Sequence, residues 1–185
     1  MNPVGASLNE YLMKMALPLG GYFIIEYLVR NYSASNIFLS LLTFPMMLIT
    51  VFLVYWIMKR MRDKLLNGKI SGFMAWTFGT QLMLFAGLLE AAFIYIYNEF
   101  VVPTNLLDMQ TQMIAQYEDV MKTIEAMPEK SELLNSANTM MQDTINVLKE
   151  TPVSSPIEAA MSMLSNDIFF GMLMMLFIAP IIRKN

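Results

Sequence analysis

The sequence predicts an all-α membrane protein: four transmembrane helices, with an extracytoplasmic amphipathic helical hairpin between helices three and four. Three observations carry this. Of 185 residues, 56% are hydrophobic and 15% charged, where an ordinary soluble domain carries about 25% charge. Several runs hold almost no charge over the roughly 20 residues needed to cross about 30 Å of hydrocarbon at ~1.5 Å per residue. The remaining charge is sorted by sign: residues 59–69 hold five Lys/Arg in eleven, and residues 98–167 hold eleven Asp/Glu against three Lys, a net −8.

The first span is read over 11–30. It contains Lys14 and Glu26 and is interrupted by Pro18 and Gly20-Gly21. Glu10 and Glu26 count against a signal peptide cleaved near Ser33-Ala34-Ser35, and Asn31-Tyr32-Ser33 is a chance sequon beside the membrane surface. The second span, 37–58, is 22 residues without a charge, with Pro45 marking a kink. The third, 70–97, carries one charge, Glu90, and ends near Val101-Val102-Pro103. The last apolar run, 168–182, is short, so the helix must begin earlier. Ser155-Pro156-x-Glu158 supplies the start: a capping serine, proline at the first helical position, and glutamate three residues after the cap. The fourth span is therefore read over 160–182. The whole chain forms one membrane domain into which 103–155 is inserted.

Within 103–155, apolar residues at 106, 113, 117, 120, 124 and 127 follow helical spacing, with Gln110 interrupting. Pro128-Glu129-Lys130 breaks this helix. Ser131 caps a second, whose apolar positions are 134, 137, 141, 145 and 148. An antiparallel hairpin with facing stripes follows. It buries little surface alone, so it needs the membrane helices or a partner. The spacing of Glu118, Asp119, Glu125, Glu129 and Glu132 matches no calcium loop, and the negative charge excludes nucleic acid as a partner.

Basic residues stay on the cytoplasmic side. Lys59, Arg60, Arg62, Lys64 and Lys69 therefore fix the second loop there, Arg183-Lys184 place the C-terminus on the same side, and residues 98–167 fall outside.

Chemistry is sparse. Without His or Cys the chain can build no disulfide, thiolate nucleophile, Cys/His zinc site or His-based acid–base pair. Gly68-Lys69-Ile70-Ser71 lacks the upstream glycine of a phosphate loop, and no Gly-x-Ser-x-Gly occurs. The expectation is a non-enzyme with no catalytic residue, no cofactor and no metal. Pairs such as Met13-x-Met15, Met161-x-Met163 and Met172-x-Met174 suit copper(I) by softness, yet no Cys or His assists them.

Two patterns inside the spans remain. A carboxylate deep in a span costs about 2.5–3.5 kcal/mol, so Glu26 and Glu90 need an explanation. Spans one and three run the same way, which puts both carboxylates at similar depth, and Arg30 lies at i+4 from Glu26. A cluster of Glu26, Arg30 and Glu90 at the outer mouth of the bundle is predicted: a structural salt bridge, a proton or cation site, or a polar ligand pocket. Ser71, Ala75, Gly79, Gly87 and Ala91 form a small-residue row broken only by Met83. Such a row permits close helix packing, with two helices, or one helix and a second copy of the chain, sharing it.

Arg62-Asp63-Lys64 before Gly68-x-Ile70-Ser71, small residues at 75 and 79, then Tyr97, Pro103 and a Met- and Gln-rich acidic segment before a short last span resemble an uncharacterised bacterial family. It is domain of unknown function forty-one ninety-nine. The resemblance covers nearly the whole chain and implies a small bacterial inner-membrane protein, hence a periplasmic hairpin. It brings no activity, and no site residue is carried over. This chain has Gly72-Phe73-Met74-Ala75 where the family has an aromatic and a basic residue before the alanine. Beyond the lipid bilayer, two functional readings stand. One is an accessory or scaffold subunit that binds a membrane or periplasmic protein, or a second copy, through the acidic hairpin and the small-residue face. The other is a small transporter or ion-conducting protein that uses Glu26, Glu90 and Arg30.

Overall fold

In a computed structural model the chain is described over residues 3–33, 37–126 and 132–183. Residues 34–36, the break at Pro128-Glu129-Lys130, the Ser131 cap and Lys184 lie outside the described residues. Among the described residues six α-helices follow one another: α1 (Pro3–Ser33), α2 (Ile37–Leu65), α3 (Gly72–Ile96), α4 (Asn105–Glu125), α5 (Glu132–Glu150) and α6 (Pro156–Ile182). Four segments among the described residues are long and apolar enough to cross a membrane: Leu8–Ser33, Leu41–Leu65, Gly72–Val101 and Pro156–Ile182. These are the marks of an integral membrane protein. The chain divides into two compact units, Met1–Ile96 with Ile157–Asn185, and Tyr97–Pro156.

The first unit holds the four long helices. α1 runs unbroken through Pro18, and α2 through Pro45. α2 also continues past its apolar run as far as Leu65, so most of the basic stretch expected as a loop is helical. Its Lys, Arg, Met and Leu residues are good helix formers. The core is a seam of buried side chains, including Leu12, Leu19, Val54, Met58, Leu82, Met175 and Ile178. Large apolar residues such as Leu41, Phe52, Phe73, Phe177 and Ile181 point outward, as lipid-facing positions require. Two tyrosines on α1 bond to α2: Tyr22 donates to the Met46 carbonyl at 2.7 Å and Tyr11 to the Ile57 carbonyl at 3.4 Å.

The small-residue row of α3 meets α6 in a regular antiparallel register. A side chain at Gly79 would collide with Met175, one at Gly171 would lie 2.6 Å from Met83 Cγ, and one at Gly87 would lie 3.0 Å from Asp167 Oδ2. Each step of four along α3 is thus a step of four back along α6. Met83, which looked like a gap in the row, fits opposite Gly171. A different face of α3 receives α1, where Gly20 lies against the Ala86 carbonyl and Leu89. Ala75, Gly79, Gly87 and Ala91 are buried. Ser71 is exposed and lies ahead of the helix, its hydroxyl accepting the Met74 N–H at 3.2 Å.

In the second unit the chain leaves α3 through a π turn, Tyr97–Val101, closed by Val102 N–H on the Tyr97 carbonyl at 2.8 Å. Asn105 donates to buried Asn98 at 2.7 Å. α4 and α5 pack antiparallel. Gln110, read in sequence as an interruption, donates to the Leu148 carbonyl and, at 3.0 Å, to the Thr151 carbonyl. It thereby satisfies acceptors that the end of α5 leaves open. The buried face of α4 runs through Gln110, Ile114, Tyr117, Met121 and Ile124, while Met113 and Val120 are exposed. Two of the stripe positions predicted for α4 therefore shift by one residue, as a 3.6-residue repeat through Gln110 requires. Lys149 donates to Glu118 at 2.8 Å and holds that carboxyl below the ordinary carboxylate range. Both groups are solvated, so the pair adds little to stability.

Candidate functional site

α1, α2, α3 and α6 line an open-sided cavity of about 580 Å³, within the range of small-molecule pockets, ~300–1,000 Å³. Glu26 and Arg30 reach it from α1, Thr50 from α2, Glu90 from α3 and Asp167 from α6. The rest of its wall is largely apolar, with Phe23, Phe44 and Phe170 among the methionines.

Two pairs of charged groups divide the polar wall. In the first, Arg30 Nη2 donates to Glu26 Oε1 and Thr50 Oγ1 to Glu26 Oε2, both at 3.2 Å. Both oxygens of Glu26 are engaged. The Glu26 side chain is only 15% exposed, whereas the Arg30 side chain is 48% exposed, as expected of a long cation that stretches toward water from the end of a helix. The second pair is Glu90 and Asp167, whose carboxyl groups lie within hydrogen-bonding reach of each other. Glu90 is 2% exposed. Among the described residues, no N–H or hydroxyl donates to it, and its hydrogen-bonding neighbour is the Asp167 carboxyl. Asp167 Oδ2 is likewise buried without a partner. Arg30 is close enough to attract both carboxyls across the cavity, but its hydrogen bonds go to Glu26 and, at 3.9 Å, to the Met163 sulfur.

Glycine at 87 gives the second pair room. The Asp167 carboxyl occupies the volume a side chain there would need, and that places it one helical turn from Glu90 on the same face of α3.

The three polar residues singled out in the sequence share one cavity, but Glu90 pairs with a residue that sequence reasoning missed. Asp167 was counted as the last acidic residue of the outer segment. It lies eleven residues into α6, about 16 Å along the helix from Pro156, inside the span rather than outside it. The signal was present: once Pro156 starts the helix, Asp167 falls in its interior four residues before Gly171. Thr50 was missed because a threonine in an apolar run carries no signal of its own. Among the described residues, no group of three or more acidic side chains is placed to hold a metal ion.

The family described as "Protein of unknown function (DUF4199)" matches residues 15–184. The chain belongs to that family. The match takes in Glu26, Arg30, Thr50, Glu90 and Asp167. No curated protein and no solved structure matches the chain.

The most distinctive stretch of this DUF4199 chain, Arg62-Asp63-Lys64 to Gly68-x-Ile70-Ser71, forms a corner joining three helices. Arg62 is 6% exposed; it donates through Nη1 to the Ile182 carbonyl at 3.0 Å and through Nε to Asp63 Oδ1 at 2.7 Å. A cation on the last carbonyl of α6 meets the negative end of that helix. Gly68, at φ +79°, donates its N–H to the Arg62 carbonyl at 3.0 Å and ends α2. Ile70 is buried. Of the five basic residues over 59–69, Lys59, Lys64 and Lys69 are exposed, and Arg60 lies 5.2 Å from the Trp56 ring.

Proposed function

We propose that this DUF4199 protein is a non-enzymatic membrane protein that binds lipophilic organic cations in the cavity of its four long helices, and so serves as a small transporter. The observation that carries the reading is Glu90, a carboxyl 2% exposed, facing a cavity and met, among the described residues, by no N–H or hydroxyl donor but only by the carboxyl of Asp167. A buried carboxyl of this kind needs a partner. A cation supplies one, and the phenylalanine faces and thioethers suit the apolar body attached to it. Binding is what these groups support, with no bond made or broken. The scaffold reading takes second place because Asp108, Asp119, Asp143 and Glu150 of the hairpin are exposed, and solvated carboxylates need no partner.

Tetraphenylphosphonium tests this. The purified chain in detergent should bind it saturably at one site. Glu90→Gln should weaken binding at least about tenfold, the loss of one charge-assisted contact of ~1.5 kcal/mol or more. Equal binding by the two proteins would sink the reading.

The charge distribution supports an orientation with the α2–α3 corner and both termini in the cytoplasm of a bacterial inner membrane and the α4–α5 unit in the periplasm. The chain has no cysteine, so single-cysteine variants report cleanly. In intact cells Asn135→Cys should react with an impermeant maleimide, and Lys69→Cys should react only after permeabilisation. The reverse pattern would overturn the orientation.

A further inference from the structure

We infer that a cation entering the cavity displaces one proton held between Glu90 and Asp167, so that this DUF4199 protein exchanges proton for cation at a single site. The inference rests on the cation reading above and adds its coupling.

The ionisable groups facing the pair are few. α1 brings Glu26 and Arg30, α3 brings Glu90, α6 brings Asp167, and α2 lines the cavity with no ionisable side chain. Glu26 already accepts from Arg30 and Thr50, so this half of the cavity is neutral and satisfied. Glu90 and Asp167 have no such neighbours. As two carboxylates they are acceptors only, and a hydrogen bond between them requires a proton on one. With that proton the pair carries one negative charge, and a monovalent cation between the carboxyls does the same work. The proton leaves its carboxyl oxygen for water as the cation arrives, and the cavity's net charge does not change. Proton and cation thus compete for one place, which is the requirement for exchange. Gly87 is part of the device, because a side chain there would press on the Asp167 carboxyl, at 3.0 Å from Oδ2.

The test uses the whole purified chain in weakly buffered detergent, with tetraphenylphosphonium as probe. This probe has no dissociable hydrogen, so any proton released comes from the protein. Close to one proton should appear per cation bound, and affinity should fall about tenfold for each pH unit lowered while the pair is protonated, as linkage to one proton requires. In Glu90→Gln and Asp167→Asn, the amide donates the hydrogen bond that the proton otherwise supplies. Release per cation bound should then drop toward zero in each. Saturable binding by the unaltered chain with no proton release and no pH dependence would overturn the exchange and leave the cation site standing. Undiminished release from both variants would overturn the assignment to this pair. Absence of any binding would overturn the cation reading and the exchange with it.

Discussion

Gly20→Ala is expected to destabilise the chain, and Gly21→Ala, one residue on, is not. A Cβ at Gly20 would lie 2.9 Å from the Ala86 carbonyl oxygen and 2.9–3.0 Å from Leu89. The carbonyl belongs to the backbone of α3 and cannot rotate away, so α1 must back off along its main packing surface. Overpacking of this kind costs about 1–3 kcal/mol. At Gly21 nothing lies within 4 Å, and replacing a mid-helix glycine by alanine favours the helix by roughly 1 kcal/mol. Thermal aggregation of the two purified variants in one detergent should separate them, Gly20→Ala below the parent and Gly21→Ala at or above it. Matching midpoints would refute the α1–α3 contact. A larger substitution, Gly20→Val, should extend the loss.

Arg62→Met should loosen the end of α6. The side chain that replaces the arginine keeps much of its apolar stem, but the hydrogen bond to the Ile182 carbonyl is lost. A bond from a charged donor is worth about 1.5–3 kcal/mol, and this donor is 6% exposed, so water replaces it poorly. Hydrogen exchange should rise in the last turn of α6 and the melting midpoint should fall. Lys64→Met and Lys69→Met remove the same charge from exposed positions and serve as controls. If all three variants melt alike, Arg62 serves only as one basic charge among five, and the corner is not held by it.

That contrast shows what the sequence displayed and what it hid. The spans were legible because hydrocarbon thickness acts on a local property, a run of uncharged residues. The start of α6 was legible because capping is local too: Ser155-Pro156-x-Glu158 lies where the helix begins at Pro156. The row from Ala75 to Ala91 was visible on α3, but its complement on α6 could be found only by knowing which helix lies opposite and in which register. Asp167 was hidden in the same way. Its role depends on Glu90, seventy-seven positions earlier, and by composition alone it belonged with the acidic stretch it follows. Gln110 failed in the opposite sense: a polar residue in an apolar stripe looks like a fault until the end of α5 is seen beside it. Arg62 was read as one of five interchangeable charges because burial is not written in a charge count.

The alternation of methionine and glycine between α3 and α6 limits how that pair can move. Met83 fits against Gly171, and Met175 against Gly79. A slide of one turn along α3 would set Met83 against Met175 and leave Gly87 facing Gly171, a crowd beside a void. Piston-like travel is thereby blocked at every tooth of the ratchet. Rocking about the interlocked teeth is the motion left for α6, and it would widen one end of the cleft as it narrows the other.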